Sequence, residues 1–96
     1  MEINDLMKDV VDWADAVPAL EDRKPVGALT KLVMEEIPEL LQNQEDEMEF
    51  ADVLILVLDY AWLSGIDPEK AVLKKLDVLR KRKWAANPDT GIVSHV

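Results

Sequence analysis

The stretch from Phe50 to Leu63, FADVLILVLDYAWL, is broken only by Asp52 and Asp59. Wound as a helix, it is apolar on nearly every face. Its longest unbroken apolar run, Val53 to Leu58, is far too short to cross a bilayer. A chain of 96 residues has too little protein to wrap such a helix on all sides. The expected fold is therefore all-α, an antiparallel bundle of about four helices. Residues 1–96 are expected to form one domain whose apolar centre is completed by oligomerisation.

The rest of the chain fits this plan. Ile3, Leu6, Met7, Val10, Val11, Trp13 and Ala14 recur at helical spacing, which predicts a first helix over residues 3–16. The segment PALEDRKP, bracketed by Pro18 and Pro25, reads as a connection. A second helix is expected from about Val26 to Gln42, kinked where Pro38 cannot donate to the Met34 carbonyl. A polar link, Asn43 to Asp46, precedes the apolar helix, expected from about Glu47 to Leu63. Ser64-Gly65 ends that helix and Asp67-Pro68-Glu69 opens the next, with Asp67 as the N-cap. The fourth helix carries Ala71, Val72, Leu76 and Leu79 inward and is expected to run to about Trp84. The tail from about residue 85 reads as irregular, and no strand is evident.

Composition narrows the chemistry. There are no cysteines, so thiolate metal sites and disulfides are excluded, and a reducing compartment fits. The single histidine, His95, lies outside the helices, which argues against a Ser-His-Asp triad and a Glu-x-x-His di-iron bundle. The N-terminus MEINDLMKDV is not a signal peptide, and the cytoplasm is the expected location. The net charge of −9 argues against a basic polymer-binding surface, and neither nucleic-acid polymer nor membrane is expected as a partner. That charge is uneven: residues 1–69 carry 4 basic and 18 acidic side chains, residues 70–96 carry 7 and 2.

Two acidic pairs stand out. Glu36 with Glu39, and Glu49 with Asp52, are each spaced i, i+3, roughly 60° apart on one helix face. A short link folds their helices antiparallel and can bring the pairs face to face. Like charges converge this way when a hard divalent cation sits between them, and an all-oxygen set favours Mg²⁺ or Mn²⁺. Acidic pairs are also common on solvated faces, and Glu45, Asp46 and Glu47 are assigned there. Asp52 is different, because an unpaired carboxylate beside VLILVL is costly.

The basic block Lys74, Lys75, Arg80, Lys81, Arg82 and Lys83 complements a helix C-terminus. One or two of its members can also reach the oxygens of a polyphosphate. Trp13 and Trp84 are candidates for stacking on a base, while Trp62 reads as core. Asp59 is a support for the metal ligands, a substrate contact, or a polar pair at the oligomer interface.

Glu36-x-x-Glu39 followed by Glu49-x-x-Asp52 resembles the metal-binding signature of the MazG-type all-α nucleoside triphosphate pyrophosphohydrolases. The wider stretches KLVMEEIPEL, EFADVLILVLDYAWLSGI, KKLDVLRKRKW and GIVSHV are similar to its compact phage and prophage branch of dATP/dGTP diphosphohydrolases. The match runs from about Gly27 to Val96. The resemblance implies cleavage of a purine deoxynucleoside triphosphate to the monophosphate and pyrophosphate, with roughly two or three Mg²⁺ or Mn²⁺ ions. It implies Glu36, Glu39, Glu49 and Asp52 as metal ligands and Glu35 and Glu36 as the catalytic residues, with Glu35 a further ligand or the base for the attacking water. Lys75, Arg82 and Lys31 would contact phosphates; Trp13, Trp84 and Asp59 remain the candidates for the base. It also implies a homodimer or a dimer of dimers, in the host cytoplasm for a phage protein.

Two departures matter. The link over residues 40–48 is shorter than in many MazG-type proteins, and Leu79 stands where the family often has Asn. Two other readings stay open: a housekeeping pyrophosphohydrolase of pyrimidine or non-standard nucleotides, and a non-catalytic acidic helical interaction module.

Overall fold

In the computed structural model, which describes residues 2–95, four helices account for most of the chain and a small hairpin follows them. Helix α1, Ile3–Asp15, buries Met7, Val10, Val11 and Ala14, the i, i+3, i+4, i+7 stripe of its sequence. A 3₁₀ turn, Pro18–Leu20, leads to α2, which begins at Pro25, where a proline's missing N–H costs nothing. Three consecutive segments make up α2: Pro25–Lys31, the π-helical turn Leu32–Glu36, and Ile37–Gln42.

Helix α3, Glu47–Leu63, follows the turn at 43–46 and has the expected bounds. The Asp46 carboxylate accepts from the Met48 N–H at 2.9 Å, and Glu47 and Glu49 favour the positive end of the helix. At its other end, Gly65 adopts φ +70°, which lets the Ile66 N–H reach the Ala61 carbonyl (2.8 Å) and the Gly65 N–H the Trp62 carbonyl (3.1 Å). This is a Schellman closure, and it needs a residue without a Cβ at that position. Helix α4, Pro68–Arg80, is capped by Asp67, whose Oδ1 accepts from the Lys70 N–H and from Asn4 Nδ2 of α1.

The core forms where α1 crosses α3, with Leu58 and Ala61 against Met7 and Val10 and the edges closed by Ile3 and Leu54. The first part of α2 packs beside α3. This core is small. Phe50, Val57 and Trp62 on α3 and Val72 on α4 are exposed, since no element among the described residues covers them. Trp62 and Val72, expected inside, therefore lie on the surface of the single chain, and so does Ala71.

Two expectations are corrected. Helix α4 stops at Arg80 rather than near Trp84, and the tail forms a hairpin instead of an irregular segment. Strands β1, Trp84–Ala86, and β2, Val93–His95, pair antiparallel, Ala85 opposite Ser94. The Asn-Pro and Thr-Gly breakers belong to its loop. Asn87 Oδ1 accepts from the Asp89 and Thr90 N–H groups, and Gly91 takes φ +73°. With short strands and so long a loop, the pattern carries too few alternating residues to be read as a hairpin.

The expected kink at Pro38 takes the form of the π turn just before it, where the Ile37 N–H reaches back to the Leu32 carbonyl. Proline removes one donor from the ladder, and a widened turn absorbs the mismatch without breaking the helix.

Candidate metal centre and the cavity beside it

Helix α2 supplies Glu36 and Glu39, and the first turns of α3 supply Glu49 and Asp52. One carboxylate oxygen from each lies within 4.8 Å of the others. Glu36 is buried, Glu49 is half-buried, and Glu39 and Asp52 are exposed. Oε2 of Glu36 and Oε2 of Glu49 are buried without a hydrogen-bond partner. Orphaned carboxylate oxygens are costly, and four converging acids add mutual repulsion. Desolvation, then the negative charges of Glu39, Asp46 and Asp52, push the Glu49 carboxyl above its ordinary value. A hard divalent cation relieves both penalties by ligating the orphaned oxygens and cancelling their charge. The donor set fits Mg²⁺ or Mn²⁺.

The π turn aims Lys31 at this cluster. In a regular α-helix, residues five apart diverge by roughly 140°. Here Lys31 Nζ lies 3.3 Å from Glu36 Oε1 as well as 2.7 Å from Glu35 Oε2. The hydrogen bonds to Glu35 and Glu36 hold the ammonium above its ordinary value.

Adjoining the cluster is a cavity of about 420 Å³, whose lining includes Glu36, Asp52 and Lys31. Trp13 and Ala14 of α1, Ala28 of α2, and Ile55 and Leu56 of α3 form largely apolar walls. Arg23 and Asp59 also line it. Arg23 Nε donates to both Asp59 oxygens (3.0 and 2.8 Å) and Nη2 to Oδ1 (2.9 Å). Nη1 donates to Asp15 (2.9 Å) and to the Leu20 carbonyl (3.2 Å). The Asp59 hydrogen bond keeps the guanidinium above its ordinary value against the opposing effect of burial. The side chains are 13% and 8% exposed. Removing one partner of such a buried pair costs about 3–5 kcal/mol, since the other charge is left uncompensated.

The structure thus brings together Glu36, Glu39, Glu49 and Asp52, and it places Lys31, Trp13 and Asp59 on the adjoining cavity. Glu35 is exposed and turned to Lys31, outside the four-carboxylate cluster. Among the described residues, Lys75, Arg82 and Trp84 do not line the cavity. The Trp84 indole N–H donates to the Leu79 carbonyl at 3.1 Å. Asp59 is paired within the chain, and its partner Arg23 is the residue that sequence reasoning missed. The available signal was Asp59 itself: a carboxylate on so apolar a helix needs a cation, and the connection PALEDRKP holds Arg23 and Lys24.

Comparison with known proteins gives the same direction. Residues 6–96 match the family model described as dATP/dGTP pyrophosphohydrolase. The chain is 40% identical over 96 residues to a dATP/dGTP diphosphohydrolase of Cyanophage S-2L, covering 98% of this chain and 88% of the relative. It is also 40% identical over 95 residues to a protein of the same name from Salmonella phage PMBT28, of which it spans 31%. Among solved structures, the Cyanophage S-2L MazG-like pyrophosphohydrolase bound to dGDP and three catalytic Mn²⁺ ions per active site is similar over the whole chain. The TM-score is 0.88 at 40% identity, covering 98% of that chain. With the carboxylate cluster at the expected positions and this likeness along its length, the chain belongs to the dATP/dGTP pyrophosphohydrolase family, a family of hydrolases.

Proposed function

We propose that this protein hydrolyses purine deoxynucleoside triphosphates, dGTP and dATP, to the monophosphate and pyrophosphate with Mg²⁺ or Mn²⁺. The observation that carries the reading is the four-carboxylate cluster, two of whose buried oxygens have no partner, opening onto the 420 Å³ cavity. Its size suits a small phosphorylated molecule rather than a polymer.

Glu36, Glu39, Glu49 and Asp52 would hold the metal ions. When bound, the ions supply a water of lowered pKa and cancel charge on the phosphoryl oxygens. The chain's own side chains do the rest. Glu36 would orient the attacking water, and Glu35 would take its proton once Lys31 turns to the phosphates. Lys31 is anchored within reach of Glu36, so it can exchange that carboxylate for a phosphate oxygen without a large movement. Trp13, exposed at the cavity wall, packs on the base. Lys75 and Arg82 reach the phosphates from a neighbouring copy, because they do not line the cavity of their own chain. The assembly is a homodimer or a dimer of dimers, working in the cytoplasm of the host.

Phosphorus NMR of mixtures with Mn²⁺ and dGTP, dATP, dCTP or dUTP tests the reading. Purine substrates should yield monophosphate and pyrophosphate, and Glu39→Ala and Asp52→Ala should each lower kcat by about 100-fold or more. Preferential turnover of dCTP or dUTP would overturn the substrate class, and unchanged activity in both variants would overturn the metal site.

A further inference from the structure

Lys31 holds two carboxylates at once, and only one of them belongs to the cluster. Its Nζ lies 2.7 Å from Glu35 Oε2, outside the four acids, and 3.3 Å from Oε1 of Glu36, inside them. On a regular helix Lys31 would reach Glu35 alone; the π turn adds Glu36. Among the described residues, no other lysine or arginine is paired with the four acids. Lys31 is therefore the cluster's own cation. It partly neutralises Glu36, the most deeply buried of the four, and leaves Oε2 of that residue without a partner.

Such a contact works against a metal. An ammonium on Glu36 lowers the negative charge available there and repels a second cation brought to the same carboxylate. The same side chain lines the cavity and is half exposed, so it has room to move. A polyphosphate entering that cavity offers the ammonium several negative charges in place of one. Its bond to Glu35 is exposed on both sides and costs little to break.

We propose that Lys31 is the internal counter-ion of the metal-free cluster and makes metal loading depend on the nucleotide. Resting on Glu36, it weakens the site for a divalent cation; drawn onto the phosphates, it returns the full charge of Glu36 to the cluster. The proposal rests on the reaction proposed above and adds an order to it, since nucleotide and metal then each strengthen the binding of the other.

The test measures the Mn²⁺ dissociation constant from the electron paramagnetic resonance signal of the free ion. It is run with and without a dGTP analogue that carries a methylene group between its α- and β-phosphorus. Complexation of Mn²⁺ by the analogue in solution is common to all the proteins compared and cancels between them. Lys31→Gln should bind Mn²⁺ alone about 5-fold more tightly than the wild type, because a like charge is removed from a partly exposed site. Its metal-free unfolding midpoint should fall, since Glu36 loses its Lys31 partner. The analogue should tighten Mn²⁺ binding in the wild type, and in Lys31→Gln that gain should shrink by about 5-fold. Lys8→Gln removes the same charge from an exposed position on α1, outside the cavity lining, and should leave both constants unchanged.

Mn²⁺ binding by Lys31→Gln that is equal to or weaker than that of the wild type overturns the proposal. So does equal tightening in Lys8→Gln, which would make net charge the cause, or an analogue effect of the same size with and without Lys31. A wild type that binds no Mn²⁺ in either condition would instead overturn the metal site, and the reaction with it.

Discussion

Glu49 carries opposing demands. Its carboxyl is raised above the ordinary value, 4.5, by desolvation and then by the charges of Glu39, Asp46 and Asp52. The sign follows from linkage. Below about pH 4.5, the group is protonated in folded and unfolded chains alike and costs nothing. As pH rises, the unfolded chain ionises first, so the metal-free fold loses stability until the raised folded value is passed. Wherever the unfolded chain is ionised and the folded carboxyl lags behind it, the metal-free fold carries this penalty. Glu49→Gln should therefore raise the unfolding midpoint of the metal-free protein at pH 7, with the advantage vanishing below about pH 4.5. The same variant should lose most of the stabilisation that Mn²⁺ gives the wild type, since a carboxylate of the proposed metal site is removed. Thermal melts with Mn²⁺ or with a chelator check both halves. A variant that melts lower than wild type without metal would contradict the account.

At the level of the elements, the i, i+3 spacing of each acidic pair and the short 43–46 link were enough to foresee that α2 and α3 oppose their carboxylates. The pairing of Lys31 with Glu36 was not foreseeable in this way, because at regular helical spacing the two residues diverge. The π turn Leu32–Glu36, next to Pro38, brings them to 3.3 Å. Pro38→Ala restores an N–H inside α2 and removes a residue worth up to about 3 kcal/mol of helix destabilisation. The expected result is a higher unfolding midpoint together with lower kcat/KM, because a π turn that relaxes to α swings Lys31 away from Glu36. Loss of the cation's grip on substrate should appear mainly in KM. Higher stability with undiminished activity would show that packing against α3, and not Pro38, maintains the wide turn.

For the molecule as a whole, the core between α1 and α3 is small, and the exposed apolar side chains on α3 and α4 are many. The Cα radius of gyration is 15.7 Å, against about 12.5 Å for a compact chain of this length. The hairpin adds to that length and packs little against the helices. An isolated two-stranded hairpin is marginal in water. Small core, exposed apolar face and extended hairpin all favour the proposed assembly. Sedimentation should give a mass that is a multiple of 10.9 kDa. Val57→Glu, which places a charge on the exposed face of α3 away from the cavity, should shift the protein toward the single-chain mass. Its hydrolysis should fall with that shift, because Lys75 and Arg82 would no longer be delivered by a neighbour. A Val57→Glu protein that is monomeric and fully active would refute the shared site.

Local physics is what the sequence alone could determine. Apolar periodicity, the Asp46 and Asp67 caps, the Gly65 stop and the two acidic pairs act within a few residues, so they are readable without tertiary information. They defined the four helices and the four carboxylates that cluster between α2 and α3. The tertiary structure decided what depends on residues far apart in the chain. It joined Arg23 of the first connection to Asp59 of α3, used a π turn to send Lys31 to Glu36, and folded the tail into a hairpin. It also left Lys75, Arg82 and Trp84 away from the cavity of their own chain. Those outcomes turn on where buried charges find partners and on how a broken helical ladder is repaired, and neither is encoded in spacing along the chain.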